Sequence, residues 1–222
     1  MTDVPWTSGY IFPLDGLPVV ERLKANWKEL RDEFFRQRES GVPYPVDIYK
    51  GRWLVTSLRS NPVELGYLGN EHRRQVVEAV RGPGSADGLT DARIEAFFQE
   101  VCEEETARNR ASHPLITSIL DPLYPASCRM YNYSLMEPGV RLRAHAGADT
   151  SCIRVHLCLQ DDPQCWLNVM GQSITWREGE VFGFDDANVH LAEHHGTRTR
   201  LVIIADFTKS YMTAEFETLN AG

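Results

Sequence analysis

From Cys128 onward the chain is a succession of short alternating runs cut by turn residues. The runs are "CRMYNYSLM", "SCIRVHLCLQ", "CWLNVM", "SITW", "EVFGF" and "TRLVIIADF", and "EPG", "DDPQ", "GQ" and "REG" stand between them. Runs of this length with tight turns are strands, and a series of them predicts a sandwich or barrel in which one face of each strand differs from the other. The first half has a different texture. Val20, Leu23, Trp27, Leu30 and Phe34 recur at three- and four-residue steps, which predicts one amphipathic helix from Pro18 to Ser40, stopped by Gly41 and Pro43. "RWLVTSLR" reads as a strand, "RGPGSADGLTD" as a loop, and Thr90 or Asp91 as the cap of a helix through "ARIEAFFQEVCEEETARNR". The expected fold is mainly β with flanking helices, a single domain over 1–222. Within it, a helical and strand-bearing N-terminal region, residues 1–125, packs on a β core at 126–210.

Composition narrows the role. With 42% hydrophobic residues the chain can bury a core and fold alone. A formal charge of -8 argues against nucleic-acid and membrane-surface partners, which demand a concentrated positive field. The basic "EHRRQ" around Arg73 and Arg74 is expected to be a solvated helix face. The N-terminal stretch has neither the pattern of an export signal nor a membrane-length apolar run, so a cytoplasmic location is expected. Cys102, Cys128, Cys152, Cys158 and Cys165 are odd in number and form no CxxC pair, which points to free thiols rather than disulfides or structural zinc.

Strand parity brings the chemistry-bearing residues together. Along "SCIRVHLCLQ", Ile153, Val155, Leu157 and Leu159 face one way while Cys152, Arg154, His156 and Cys158 face the other. In the last strand Arg200, Val202 and Ile204 share a face. A buried guanidinium needs an anion, so two inward arginines suit either protein carboxylates or a bound dicarboxylate. His145 and His190 stand at expected strand ends, where a barrel mouth would bring them together. Neutral imidazoles with open coordination positions suit Fe(II). His194 and His195 compete with His190 for that role, although a solvated loop explains them better.

As a set, "YSLMEPGVRLRAHAG", "RVHL", "WREGEVFGFDDANVH" and the arginine of "TRLVIIADF" resemble the aspartyl/asparaginyl beta-hydroxylases, and "NWKELRDE" is weakly similar. The resemblance covers about Cys128 to Phe207 and leaves 61–117 without correspondence. It implies a double-stranded beta-helix (jelly-roll or cupin-like) and an Fe(II)- and 2-oxoglutarate-dependent dioxygenase. His145 and His190 would bind iron. Arg154 and His156 would meet the 2-oxo acid end of the cosubstrate, and Ser134 with Arg200 its distal carboxylate. Gly147 stands where most such enzymes carry Asp or Glu. The resemblance implies water in that coordination position and makes Asp186 an outer residue that orients ligands.

The implied reaction uses dioxygen to turn 2-oxoglutarate into succinate and carbon dioxide while an unactivated carbon is hydroxylated. The expected substrate is the β-carbon of an aspartyl- or asparaginyl-type amino acid, whether free, carrier-bound or in a peptide. Selectivity is assigned to 61–117 and to Arg141 and Arg143, which also read as plain surface arginines. Two alternatives remain: an iron halogenase, because glycine in place of the carboxylate leaves room for chloride, and a non-catalytic cupin-like binding protein.

Overall fold

The computed structural model describes residues 4–37, the backbone of 42–43, and residues 49–221. Its strands are β1 (Ile11–Pro13), β2 (Val42–Pro43), β3 (Tyr49–Lys50), β4 (Trp53–Arg59), β5 (Cys128–Met136), β6 (Arg141–His145), β7 (Cys152–Gln160), β8 (Cys165–Val169), β9 (Gln172–Thr175), β10 (Val181–Phe184), β11 (His190–His194) and β12 (Arg200–Thr208). The helices are α1 (Pro18–Ala25), α2 (Trp27–Arg36), α3 (Pro62–Tyr67), α4 (Asn70–Arg81), α5 (Asp91–Ser112), α6 (Pro114–Leu120) and α7 (Lys209–Ala221).

Two antiparallel sheets face each other. The larger runs β1-β10-β7-β12-β5-β4-β2 and the smaller β3-β6-β11-β8-β9. From β5 to β8, and again from β10 to β12, successive strands alternate between the sheets, which makes the core the expected double-stranded beta-helix. Strands from before residue 125 extend the larger sheet: β4 pairs with β5, and β1 with β10.

Parity sets the layers. Ile153, Val155, Leu157, Ile203, Phe207, Tyr131 and Tyr133 turn outward and are covered by Val20 and Leu23 of α1, Leu30 and Phe34 of α2, Ile116 of α6 and Met212 of α7. Each such fully buried aliphatic or aromatic side chain contributes roughly 1.5–3 kcal/mol. Cys158, Val202, Ile204 and Met136 turn inward and meet Cys165, Leu167, Val169 and Ala192 of the smaller sheet. In register, Val202 pairs with Cys158 and Ser134, and Ile204 with His156 and Asn132. Arg154, His156, Ser134 and Arg200 therefore all project between the sheets.

Several expectations change. The helix expected over 18–40 is two helices, broken at Asn26 (φ -109°, ψ 13°), whose backbone N–H bonds the carbonyls of Leu23 and Lys24. The second helix ends at Arg36, and the stop expected at Gly41 lies outside the described residues. Thr90 takes the N-cap position of α5 without a side-chain capping bond. The turn between β8 and β9 is Met170-Gly171 rather than Gly171-Gln172, with φ of 50° and 91°, the left-handed pair that a two-residue hairpin requires. "EHRRQ" is not a solvated face. Arg74 donates to the carbonyls of Ala86 and Leu89, and Arg73 lies over the Phe98 ring. The five cysteines are free, and four of them are buried.

Candidate active site

Strands β6 and β11 place the two histidines. His145 closes β6, His190 opens β11, and the two are cross-strand partners with ring centroids 4.2 Å apart. His145 Nδ1–H donates to the Arg143 carbonyl at 2.8 Å, and His190 Nδ1–H donates to the Asn188 carbonyl at 2.9 Å. A carbonyl can only accept, so Nδ1 carries the proton on each ring and Nε2 keeps its lone pair, the tautomer a metal ligand needs. Burial lowers both pKa values. That of His190 falls to about 3, with His145 adding to the effect.

Asp186 completes this end of the site. Its Oδ1 lies 3.4 Å from His190 Nε2 and 2.6 Å from Arg154 Nη1, yet it takes part in no hydrogen bond of good geometry. Burial raises its pKa to about 7 against the pull of Arg154. Two acceptors facing each other at 3.4 Å repel unless a proton or a cation lies between them. No group of three His, Cys, Asp or Glu side chains capable of holding a metal exists among the described residues, and what stands at this end is two imidazoles with the carboxylate close behind. A Cβ at Gly147 would stand 1.7 Å from Asp186 Oδ2, so this carboxylate fills the space a side chain at 147 would need. The Gly147 N–H also bonds the Asp186 carbonyl at 2.8 Å.

Deeper in the barrel, Arg200 is 2% exposed and has no carboxylate partner among the described residues. Its Nη2 donates to Ser134 Oγ at 3.4 Å, its guanidinium lies 4.7 Å over the Trp176 ring, and its Nε has no partner. Burial lowers its pKa. Trp53 Nε1–H also donates to Ser134 Oγ, at 2.8 Å. Trp176 Nε1–H donates to His156 Nδ1 at 3.2 Å, which leaves the His156 proton on Nε2, a buried donor with no acceptor. Burial, with Arg200 second, holds His156 well below its usual pKa and keeps it neutral. Unmet donors on a neutral imidazole and an unpaired guanidinium are costly to bury, and an anionic ligand would satisfy both.

Arg154 is arranged otherwise. It donates to both oxygens of Asp206 at 2.8 Å, pairs with Glu64 at 3.2 Å, and touches Asp186. Although burial opposes its charge, these carboxylates hold its pKa above the ordinary value. His194 and His195 do not join the site. His194 is buried in β11, not on a solvated loop, and bonds the Arg198 carbonyl at 2.6 Å, while His195 pairs with Glu193. Arg141 and Arg143 are exposed.

Three participants, Asp206, Trp176 and Glu64, were not among the residues that the sequence singled out. Asp206 lies two residues beyond Ile204 on the same face, so parity could have supplied it as the partner of Arg154. Trp176 and Glu64 lie outside the strands on which that parity is read, and no pattern marks them.

A family model described as Aspartyl/Asparaginyl beta-hydroxylase matches residues 24–210. Ornithine lipid ester-linked acyl 2-hydroxylase of Rhizobium tropici is 31% identical over 123 residues, 54% of this chain and 43% of that protein. Human aspartyl/asparaginyl beta-hydroxylase is 31% identical over 84 residues, 37% of this chain and 11% of that protein. This chain thus covers less than half the length of either relative. Among solved structures, a prolyl-4-hydroxylase of Pseudomonas putida aligns over 91% of this chain and 94% of its own, at 13% identity and a TM-score of 0.41. The family match spans both histidines, the buried Arg200 and the glycine whose space Asp186 occupies, and the chain belongs to the aspartyl/asparaginyl beta-hydroxylase family.

Proposed function

We propose that this hydroxylase-family protein is an Fe(II)- and 2-oxoglutarate-dependent dioxygenase that hydroxylates an unactivated carbon. The observation that carries the proposal is the pairing of two bare Nε2 atoms at the mouth with unsatisfied buried donors, Arg200 Nε and His156 Nε2, further in. This donor set fits a cation held by imidazoles and a dicarboxylate held by a guanidinium. His145 and His190 would hold iron, Arg200 with Ser134 the distal carboxylate of 2-oxoglutarate, and His156 an oxygen of its other end. When bound, iron and 2-oxoglutarate supply the oxidising power for dioxygen chemistry, with succinate and carbon dioxide as by-products.

The protein's role is placement. The carbonyls of Arg143 and Asn188 fix the tautomer and plane of each imidazole. The Trp176 and Phe182 rings pack around His156 and exclude water from it. Arg154, engaged by three carboxylates, is a positioning residue that holds Asp186 behind His190, and at most its remaining Nη1 N–H would reach the cosubstrate.

Hydroxylation is favoured over halogenation because the Asp186 carboxyl group fills the space beside Gly147 that chloride would need. The relatives' names speak of aspartyl and asparaginyl groups and of an ester-linked acyl chain. The favoured substrate is the β-carbon of an aspartyl- or asparaginyl-type amino acid, free, carrier-bound or peptidyl. No helix among the described residues is long and apolar enough to cross a membrane, and a cytoplasmic setting is included in the same proposal. The proposal is tested by loading the protein anaerobically with Fe(II) and 2-oxoglutarate, admitting air and assaying succinate. Succinate formation that requires both His145 and His190 supports it. A protein that binds neither iron nor 2-oxoglutarate is instead a binding module.

A further inference from the structure

A cavity of 130 Å³ opens beside the site, between the inner face of the larger sheet and α3. A cavity of about 150 Å³ holds a benzene molecule, so this one admits one amino-acid side chain. Its wall is mostly apolar, with Trp53, Val55, Met130 and Ile204 from the sheet and Leu65 from α3. Its polar lining is Ser57, Ser60, Asn61, Glu64, Asn132 and Arg154, and two of these present acceptors that bear on the ligand. Asn132 is 7% exposed, its Nδ2 is turned to Met130 Sδ, and its Oδ1 meets no donor. Glu64 lines the cavity through the carboxylate that pairs with Arg154. Among the described lining residues Arg154 is the one cation, and Glu64, Asp186 and Asp206 already surround it. Helix α3 buries none of its own side chains, and a second cavity of 370 Å³ on the side of α5 shares Ser60 and Leu65 with the first. A cover so loosely packed can admit a ligand without disturbing the sheet.

We propose that this cavity is the substrate pocket and that it takes an aliphatic segment ending in an N–H donor, an amide or an ammonium, in preference to a carboxylate. The proposal rests on the dioxygenase reading for the meaning of "substrate". Asn132 Oδ1 and Glu64 accept from the donor, and the apolar wall takes the methylene carbons. A carboxylate in the same place would face the Glu64 carboxylate and leave Asn132 Oδ1 unpaired, while the one guanidinium on the wall is already engaged by Glu64, Asp186 and Asp206. The site therefore favours asparaginyl-like or basic side chains over aspartyl ones.

The test compares four capped amino acids of similar size, the N-acetyl amides of asparagine, ornithine, aspartate and leucine. Binding is measured by calorimetry on the full chain in the absence of iron, with succinate formation on the iron-loaded protein assayed separately. The asparagine and ornithine compounds should bind at least about tenfold tighter than the aspartate compound. Asn132→Leu should shrink that gap to below about threefold, since it removes one unmet acceptor. Glu64→Gln, on a half-buried helix that can accept it without unfolding, should weaken the ornithine compound more than the asparagine one. Equal or tighter binding of the aspartate compound overturns the proposal, as does binding of none of the four. If succinate still forms in the latter case, the dioxygenase reading stands without this pocket. If succinate never forms while the N–H compounds bind, the pocket stands and the oxidative reading fails.

Discussion

A methyl group at position 147 would sit 1.7 Å from Asp186 Oδ2, so glycine here is required by a carboxylate 39 positions further along the chain. Gly147→Ala or Gly147→Asp should drive Asp186 out and cost roughly 1–3 kcal/mol, as overpacking does. Combining Gly147→Asp with Asp186→Ala should recover most of that loss, which paired denaturant titrations would show as strong non-additivity. The sequence offered a glycine two residues after a histidine, but not the carboxylate that needs the space, because the contact joins the end of β6 to the loop before β11. A second expectation follows from the histidine pKa values. Two ordinary imidazoles would lose about 100-fold in metal affinity between pH 7.5 and 5.5 through proton competition. Here both folded-state pKa values are lowered, that of His190 to about 3, so His190 stays neutral across this window and His145 takes up its proton at lower pH than an ordinary imidazole does. Cobalt or Fe(II) titrations should show a decline of no more than about 10-fold down to pH 5.5 from proton competition at these rings, since His190 contributes none of it. A 100-fold decline would show that the rings titrate as exposed histidines do.

Among the elements, α4 and α5 form where the sequence placed helices, but their hairpin packs in a way that the sequence did not suggest. Val77, Ile94, Phe98 and Val101 form a small core of their own, apart from both sheet layers. Phe98→Ala should cost about 3–5 kcal/mol locally. Hydrogen exchange should then show faster exchange over 70–112 while β12 keeps its protection. Equal loss in β12 would show that the hairpin and the barrel unfold as one unit. This region was hard to read for a physical reason. α3 is six residues long, begins at Pro62, contains Gly66 and buries no side chain, so it carries no periodic apolar signal. β6 was missed likewise because its side chains lie at the exposed rim of the barrel. β5, β7 and β12 were legible to within a residue because both of their faces are buried and differ in chemistry.

For the molecule as a whole, a sandwich or barrel could be expected from the strand series and the jelly-roll from the family resemblance, but the pairing order and the polar network could not, since they join β4, β5, β7 and β12 across long stretches of chain. The unpaired Arg200 lets a whole-protein measurement separate ligand binding from structural support. Arg200→Ala should leave the melting temperature of the ligand-free protein unchanged or raised, because it removes a buried charge without an anionic partner, while raising the 2-oxoglutarate requirement at least about tenfold. A structural ion-pair arginine would behave in the opposite way and lower the melting temperature. The most direct measurement of the central claim is equilibrium binding of Fe(II) and then 2-oxoglutarate under anaerobic conditions, on wild type, His145→Ala, His190→Ala and His194→Ala. The account expects one iron per chain in wild type and in His194→Ala, tight 2-oxoglutarate binding only after iron, and neither ligand retained by the other two variants. Unchanged iron affinity in either His145→Ala or His190→Ala would contradict it.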